Sequence, residues 1–100
     1  MTQPHSLDAD VLPKFALGRL CFTKAAMTDI VRDDAFAALK RHSLGDWGDH
    51  DASGSKQEND MALLYGGRLL SAYRDRNGVK FWIITEHHRN QTTVLLPADY

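Results

Sequence analysis

The stretch Gly66-Gly67-Arg68-Leu69-Leu70-Ser71-Ala72-Tyr73-Arg74-Asp75-Arg76-Asn77-Gly78-Val79-Lys80-Phe81-Trp82-Ile83-Ile84-Thr85-Glu86-His87-His88-Arg89-Asn90-Gln91-Thr92-Thr93-Val94-Leu95-Leu96-Pro97 decides the fold. It reads as three antiparallel strands, 68–76, 79–87 and 91–96. Asn77-Gly78 is the strongest turn signal, because both residues enter positive φ cheaply, as a two-residue type I′ turn requires. A loop of that length pairs Arg76 with Val79, Asp75 with Lys80, Tyr73 with Trp82 and Ser71 with Ile84. An ion pair and an aromatic pair then fall into one register, and a one-residue slip would lose both. Arg89-Asn90 is a weaker turn; as a two-residue loop it pairs Thr85 with Val94 and Ile83 with Leu96.

This register gives two faces. Leu70, Ala72, Phe81, Ile83, Thr85, Val94 and Leu96 make the better core. The other face sets Tyr73, Trp82, Ile84 and Leu95 among Asp75, Lys80 and Glu86. Antiparallel sheets often leave one face wet, but so many large apolar groups together usually mark an interface.

Working outward, Ser55-Lys56-Gln57-Glu58 matches a capping box. The helix it opens runs to about Tyr65, burying Met61, Leu64 and Tyr65, and Gly66-Gly67 stops it. An earlier helix, capped by Thr28 and ending near Arg41, carries an apolar stripe of Val31, Ala35, Ala38 and Leu39, with His42 beside it. Phe36 falls off that stripe. Phe15 to Thr23 reads as the first strand, with Gly18 as a bulge or close-approach point. The order β-α-α-β-β-β predicts an α+β fold: a four-stranded antiparallel sheet with two helices on one face. Residues 1–14 read as a mobile lead-in and 15–100 as one domain.

The totals bound the chemistry. One hundred residues, 43% hydrophobic and 25% charged, suit one ordinary globular core. A net charge of -1 shows no excess of cations, so nucleic acid is not expected as a direct ligand. Cys21 is the only cysteine, which excludes an internal disulfide and fits a reducing compartment. There is no apolar run of membrane-spanning length and no signal pattern, so the expectation is a soluble cytoplasmic protein with no membrane contact.

Three constellations invite chemistry. Asp49, Asp51, Ser53, Gln57 and Asp60, with Gly54 at the sixth position, match a calcium-loop spacing. Lys56 at the eighth position and Asp60 in place of glutamate weaken it, and a solvated turn is the preferred reading. Cys21, His42, His50, His87 and His88 show no metal-ligand spacing. Neither a metal nor another cofactor is therefore expected. Arg68, Tyr73, His87, His88, Arg89 and Tyr100 are residue types that an RNA-cleaving enzyme uses, and the element order is similar to that of small RelE-like toxins. No catalytic residue is assigned, and a non-enzyme is the preferred reading. Trp47, inside Gly45-Asp46-Trp47-Gly48-Asp49, is either a plug closing one end of the core or an aromatic anchor ringed by carboxylates, suited to a basic protein partner.

Gly45-Asp46-Trp47-Gly48-Asp49, Glu58-Asn59, Gly67 to Tyr73, Phe81 to Glu86 and Thr92 to Pro97 together resemble a family of small proteins met on bacterial plasmids, phages and integrated elements. Some of its members carry a restriction-modification label. The family's usual Ala-Asp-Arg-Ser after Thr-Glu is replaced here by His87-His88-Arg89-Asn90. The resemblance implies an accessory protein of a mobile element and supplies no reaction. The combined expectation is a non-enzymatic interaction module inhibiting host defence, of the anti-restriction or anti-CRISPR type. It would bind a protein partner or a second copy through Asp46, Trp47, Asp49, Tyr73, Lys80, Trp82, Ile84, Glu86 and Leu95. A RelE-like ribonuclease and a calcium-binding loop are the alternatives.

Overall fold

The computed structural model describes residues 12–49 and 56–100. The chain is α+β. Strand β1 is Arg19–Phe22, helix α1 Lys24–Asp29, α2 Arg32–Ser43 and α3 Lys56–Tyr65. Strands β2 Leu69–Arg74, β3 Lys80–Thr85 and β4 Gln91–Leu95 follow, and a single 3-10 turn over Pro97–Asp99 ends the chain. The sheet order is β1-β4-β3-β2. Strand β1 runs parallel to β4, so the sheet is mixed and not the fully antiparallel one expected.

The first hairpin departs from expectation by one residue. Strand β2 pairs Tyr73 with Phe81, Ala72 with Trp82 and Arg74 with Lys80. Asp75 is the cause. Its N–H donates to the Val79 carbonyl at 3.0 Å, and its carbonyl accepts from Gly78 at 2.9 Å. Gly78 alone takes positive φ, at 85°. The loop is therefore a three-residue type I turn closed by a glycine bulge, not a type I′ turn. The Asp75 carboxylate stabilises it by accepting from Asn77 and Val79 N–H groups, each at 2.9 Å.

That single residue turns β2 over relative to β3. Tyr73 joins the helix-facing core with Phe81, Ile83 and Val94, beneath Ala26, Ile30, Ala35, Ala38 and Leu39. Trp82 stays on the opposite face. Tyr73 and Trp82 are thus not neighbours on one open surface, which corrects the expectation. The second hairpin has a four-residue loop, with Glu86 N–H bonded to the Gln91 carbonyl and Arg89 in the left-handed region at φ 61°. It pairs Thr85 with Thr92 and Ile83 with Val94. The shift there is two residues, so the faces survive.

The expected single helix from Thr28 is two. Thr23 caps α1, its hydroxyl accepting from Ala26 N–H at 3.1 Å. Ile30 and Val31 are extended, and the Val31 N–H goes to the Asp75 carboxylate at 3.0 Å. Asp75 therefore fixes both the hairpin turn and the break between α1 and α2. Strand β1 starts later than expected because Gly18, at φ 68°, lies so close to Asn90 that a Cβ would collide with its backbone.

Candidate interaction site

Trp47 is 1% exposed and plugs the core. Its ring stacks on Phe15 at 6.2 Å, meets His42 edge-on at 5.6 Å, and its indole N–H donates to Asp60 at 3.0 Å. The segment carrying it lies along the free edge of β2. Ala72 N–H donates to the Trp47 carbonyl at 3.2 Å, and Asp49 N–H to the Ala72 carbonyl at 2.7 Å. Two residues further along that edge, the Asn59 side chain of α3 accepts from Leu70 N–H at 3.1 Å and donates to the Leu70 carbonyl at 2.8 Å. A bare strand edge is a template for unwanted pairing. Here a loop backbone and one amide side chain occupy it.

Asp46 is held by Arg41, whose Nε lies 2.7 Å from its carboxylate, and its carbonyl accepts the Tyr73 hydroxyl at 2.5 Å. Arg41 also lies over the Tyr73 ring. The Asp46 hydrogen bond raises the guanidinium pKa of Arg41. Burial raises that of the Tyr73 phenol. Trp47 and Tyr73, the latter 4% exposed, are therefore core groups and cannot act as exposed anchors, a second correction.

The outer sheet face is also less open than expected. Ile84 and Leu95 are buried. The 3-10 turn brings Tyr100 edge-on to Trp82 at 5.6 Å. Trp82 is half-buried, and its indole N–H meets no acceptor among the described residues. Lys80 and Glu86 remain half-exposed, with Glu86 3.5 Å from Arg68.

His42 is fully buried in a hydrogen-bonded chain whose directions can be worked out. The Thr92 hydroxyl donates to the Leu17 carbonyl at 2.7 Å. Its oxygen must then accept from Thr85, 2.7 Å away. Thr85, its proton spent, must accept from His42 Nε2 at 2.9 Å. His42 Nδ1 is left to accept from Ser71 at 2.5 Å. A hydroxyl has one proton, so the neutral Nε2–H tautomer satisfies every member. Burial, and then the Arg89 charge, lower the pKa of His42 to about 3. It is a core histidine with no lone pair free for metal.

Arg89 points inward, donating to the Gly67, Glu86 and Ala62 carbonyls at 2.6, 3.0 and 3.0 Å. His87 and His88 are exposed and 4.8 Å apart. Arg68 donates to the Tyr100 hydroxyl at 2.9 Å. Among the described residues no group of three metal-ligating side chains assembles. The middle of the calcium-like spacing lies outside the described residues, as does Ser55. Its last member, Asp60, is engaged by Lys56 at 2.6 Å and by Trp47. Those two hydrogen bonds hold its carboxyl below the usual range, Lys56 having the larger effect. No described helix is long and apolar enough to cross a membrane.

Two surfaces were missed. Helix α3 buries only Asn59. Met61, Leu64 and Tyr65, expected in the core, are 50%, 73% and 78% exposed. With Asn59 turned to the β2 edge, Ala62 and Leu63 follow it inward, and the 61/64/65 stripe must face out. The second surface is a groove between β1, α1 and α2, of about 280 Å³, lined by Phe22, Ala26, Met27, Ile30, Ala35 and Phe36, with Arg32 beside them. Phe36, off the core stripe, is the one sequence signal for it. Compared with family models, with curated proteins and with solved structures, the chain matches none.

Proposed function

We propose that this chain is a non-enzymatic interaction module of a mobile genetic element that binds a protein in the host cytoplasm and inhibits host defence, of the anti-restriction or anti-CRISPR type. One observation carries the binding role: Met61, Leu64 and Tyr65 stand exposed at i, i+3 and i+4 on a helix that buries a polar residue in their place. Large apolar groups at that spacing are how a helix addresses a groove. The mobile-element setting rests on the sequence resemblance. Retention of a host protein on the immobilised chain, abolished by Leu64→Ser with Tyr65→Ser while the circular dichroism spectrum is unchanged, is the expected result. Undiminished retention by that variant would refute the assignment of the surface.

An RNA-cleaving reading keeps one point in its favour. Arg68, Glu86 and Tyr100 meet at one end of the outer face, with His87 and His88 next in the chain. Growth arrest on expression, relieved by Arg68→Ala, would favour it.

A further inference from the structure

Strand pairing sets the side chains of the sheet's outer face in rows. Arg74 stands opposite Lys80 at one end, and Trp82 lies mid-face between Ala72 and Leu95. At the other end Arg19 stands opposite Gln91, and Arg68 lies 3.5 Å from Glu86. Among the described residues the ionic groups of this face are thus four cations and one carboxylate, with Asp49 beside Arg74 at the β2 rim. Arg19, Arg74 and Lys80 form no ion pair among the described residues. The overall charge of -1 conceals this excess, because α2, on the opposite face, holds Asp33 and Asp34, and α3, at the β2 edge, holds Glu58 and Asp60.

Two aromatic rings stand between the cationic ends. Tyr100, 67% exposed, meets half-buried Trp82 edge-on at 5.6 Å, and Arg68 lies over the Tyr100 ring at 5.5 Å. The Trp82 indole N–H is buried without an acceptor among the described residues, a rare state for such a donor. Arg68 and Arg74 are six residues apart, about 20 Å in an extended strand, which is too far for one small anion to bridge. We propose that this outer face binds single-stranded nucleic acid, with phosphates at the two cationic ends and bases stacked on Trp82 and Tyr100. Flat rings flanked by cations match the bases and phosphates of a single strand. A duplex hides its base faces and offers the rings nothing.

The test is fluorescence anisotropy of a labelled single strand of about fifteen nucleotides, within the usual range of site sizes, titrated with the full chain at low salt. The single strand should bind more tightly than the duplex made by adding its complement. At ~0.7 per neutralised phosphate, log affinity against log salt should fall with a slope of about -2 to -3. Arg74→Glu with Lys80→Glu should weaken binding at least tenfold and make that slope shallower, with thermal unfolding checking the fold. Tyr100→Ala, at a mostly exposed position, should weaken binding several-fold and serves if the charge variant does not fold. Trp47 is buried, so quenching of tryptophan fluorescence by the strand reports on Trp82 and should vanish in Trp82→Phe. No binding at low salt, equal affinity for single strand and duplex, binding without quenching, or unchanged binding by a folded Arg74→Glu, Lys80→Glu variant would each overturn the proposal. Polyglutamate bound as tightly as the oligonucleotide would overturn it too, marking the face as a site for acidic protein. The site is separate from the α3 stripe, so Leu64→Ser with Tyr65→Ser should leave oligonucleotide binding unchanged. Failure to bind the oligonucleotide would leave the protein-binding role standing, and failure to retain a host protein would leave this site standing.

Discussion

Helices α2 and α3 have similar lengths and are put to opposite uses. Helix α2 buries Ala35, Ala38 and Leu39 against the sheet and sends His42 into a closed polar chain. Helix α3 buries Asn59 alone and is fastened by polar contacts: the two Asn59–Leu70 hydrogen bonds, the Trp47–Asp60 bond and the Arg89 bond to the Ala62 carbonyl. A helix held by its apolar face has that face consumed. A helix held at a sheet edge by hydrogen bonds keeps its apolar residues free. The comparison separates the helix whose apolar groups are used up in folding from the helix whose apolar groups stay exposed.

The largest effect expected on the α2 side depends on pH. An unfolded histidine takes up a proton near 6.5, whereas folded His42 resists until about 3. Between those values the unfolded chain binds more protons, so stability falls as pH falls. The full window corresponds to on the order of 4–5 kcal/mol. Carboxylates held below their usual range, including Asp75 by the Val31 N–H first, extend the loss at lower pH, since their contribution is present above the unfolded value and disappears as they protonate. Urea titrations at pH 7, 5.5 and 4.5 would show this slope, and His42→Gln should flatten it. A wild-type stability unchanged from pH 7 to 4.5 would contradict the buried neutral histidine.

Next come the core aromatics. Trp47→Ala and Tyr73→Ala should each cost about 3–5 kcal/mol, the usual range for emptying a large aromatic site. Trp47→Ala also strips Asp60 of a donor. If either variant unfolded at the wild-type urea midpoint, the ring in question would not be in the core. A smaller loss, about 1–3 kcal/mol, is expected from Asn59→Ala, which leaves the Leu70 N–H and carbonyl without their partner. Hydrogen exchange at Leu70 should rise in that variant more than exchange at Phe81 or Ile83. Equal protection across β2 and β3 would mean that α3 is held by something else.

Much of the scaffold was legible in the sequence, and its failures have local causes. Alternation located β2, β3 and β4, and the α+β class followed from element order. The register of β2 did not, because Asn-Gly carries the stronger turn signal in isolation. The deciding residue was Asp75, whose carboxylate binds the turn and the Val31 N–H from α2 at once. A contact spanning that much of the chain leaves no mark on local pattern. The parallel pairing of β1 is equally non-local. Trp47 is the plug and not the anchor, and the sequence alone leaves both open because its partners Phe15, His42 and Asp60 come from three separate segments. The apolar residues of α3 read as core in the sequence, whereas burial goes to Asn59, the side chain that satisfies an open strand edge.

The smallest stability change should come from that exposed stripe. Leu64→Ser with Tyr65→Ser touches side chains mostly in water, and substitutions of that kind usually fall within ±0.5 kcal/mol. The same two changes on α2, Ala38→Ser with Leu39→Ser, would strike the core and should cost several times more. The ratio, measured by urea unfolding under one set of conditions, sharpens the comparison between the helices. Comparable losses for both pairs would mean that the α3 stripe is packed within the monomer. It would then be unavailable to a partner of any kind, and the proposed binding surface would fall with it.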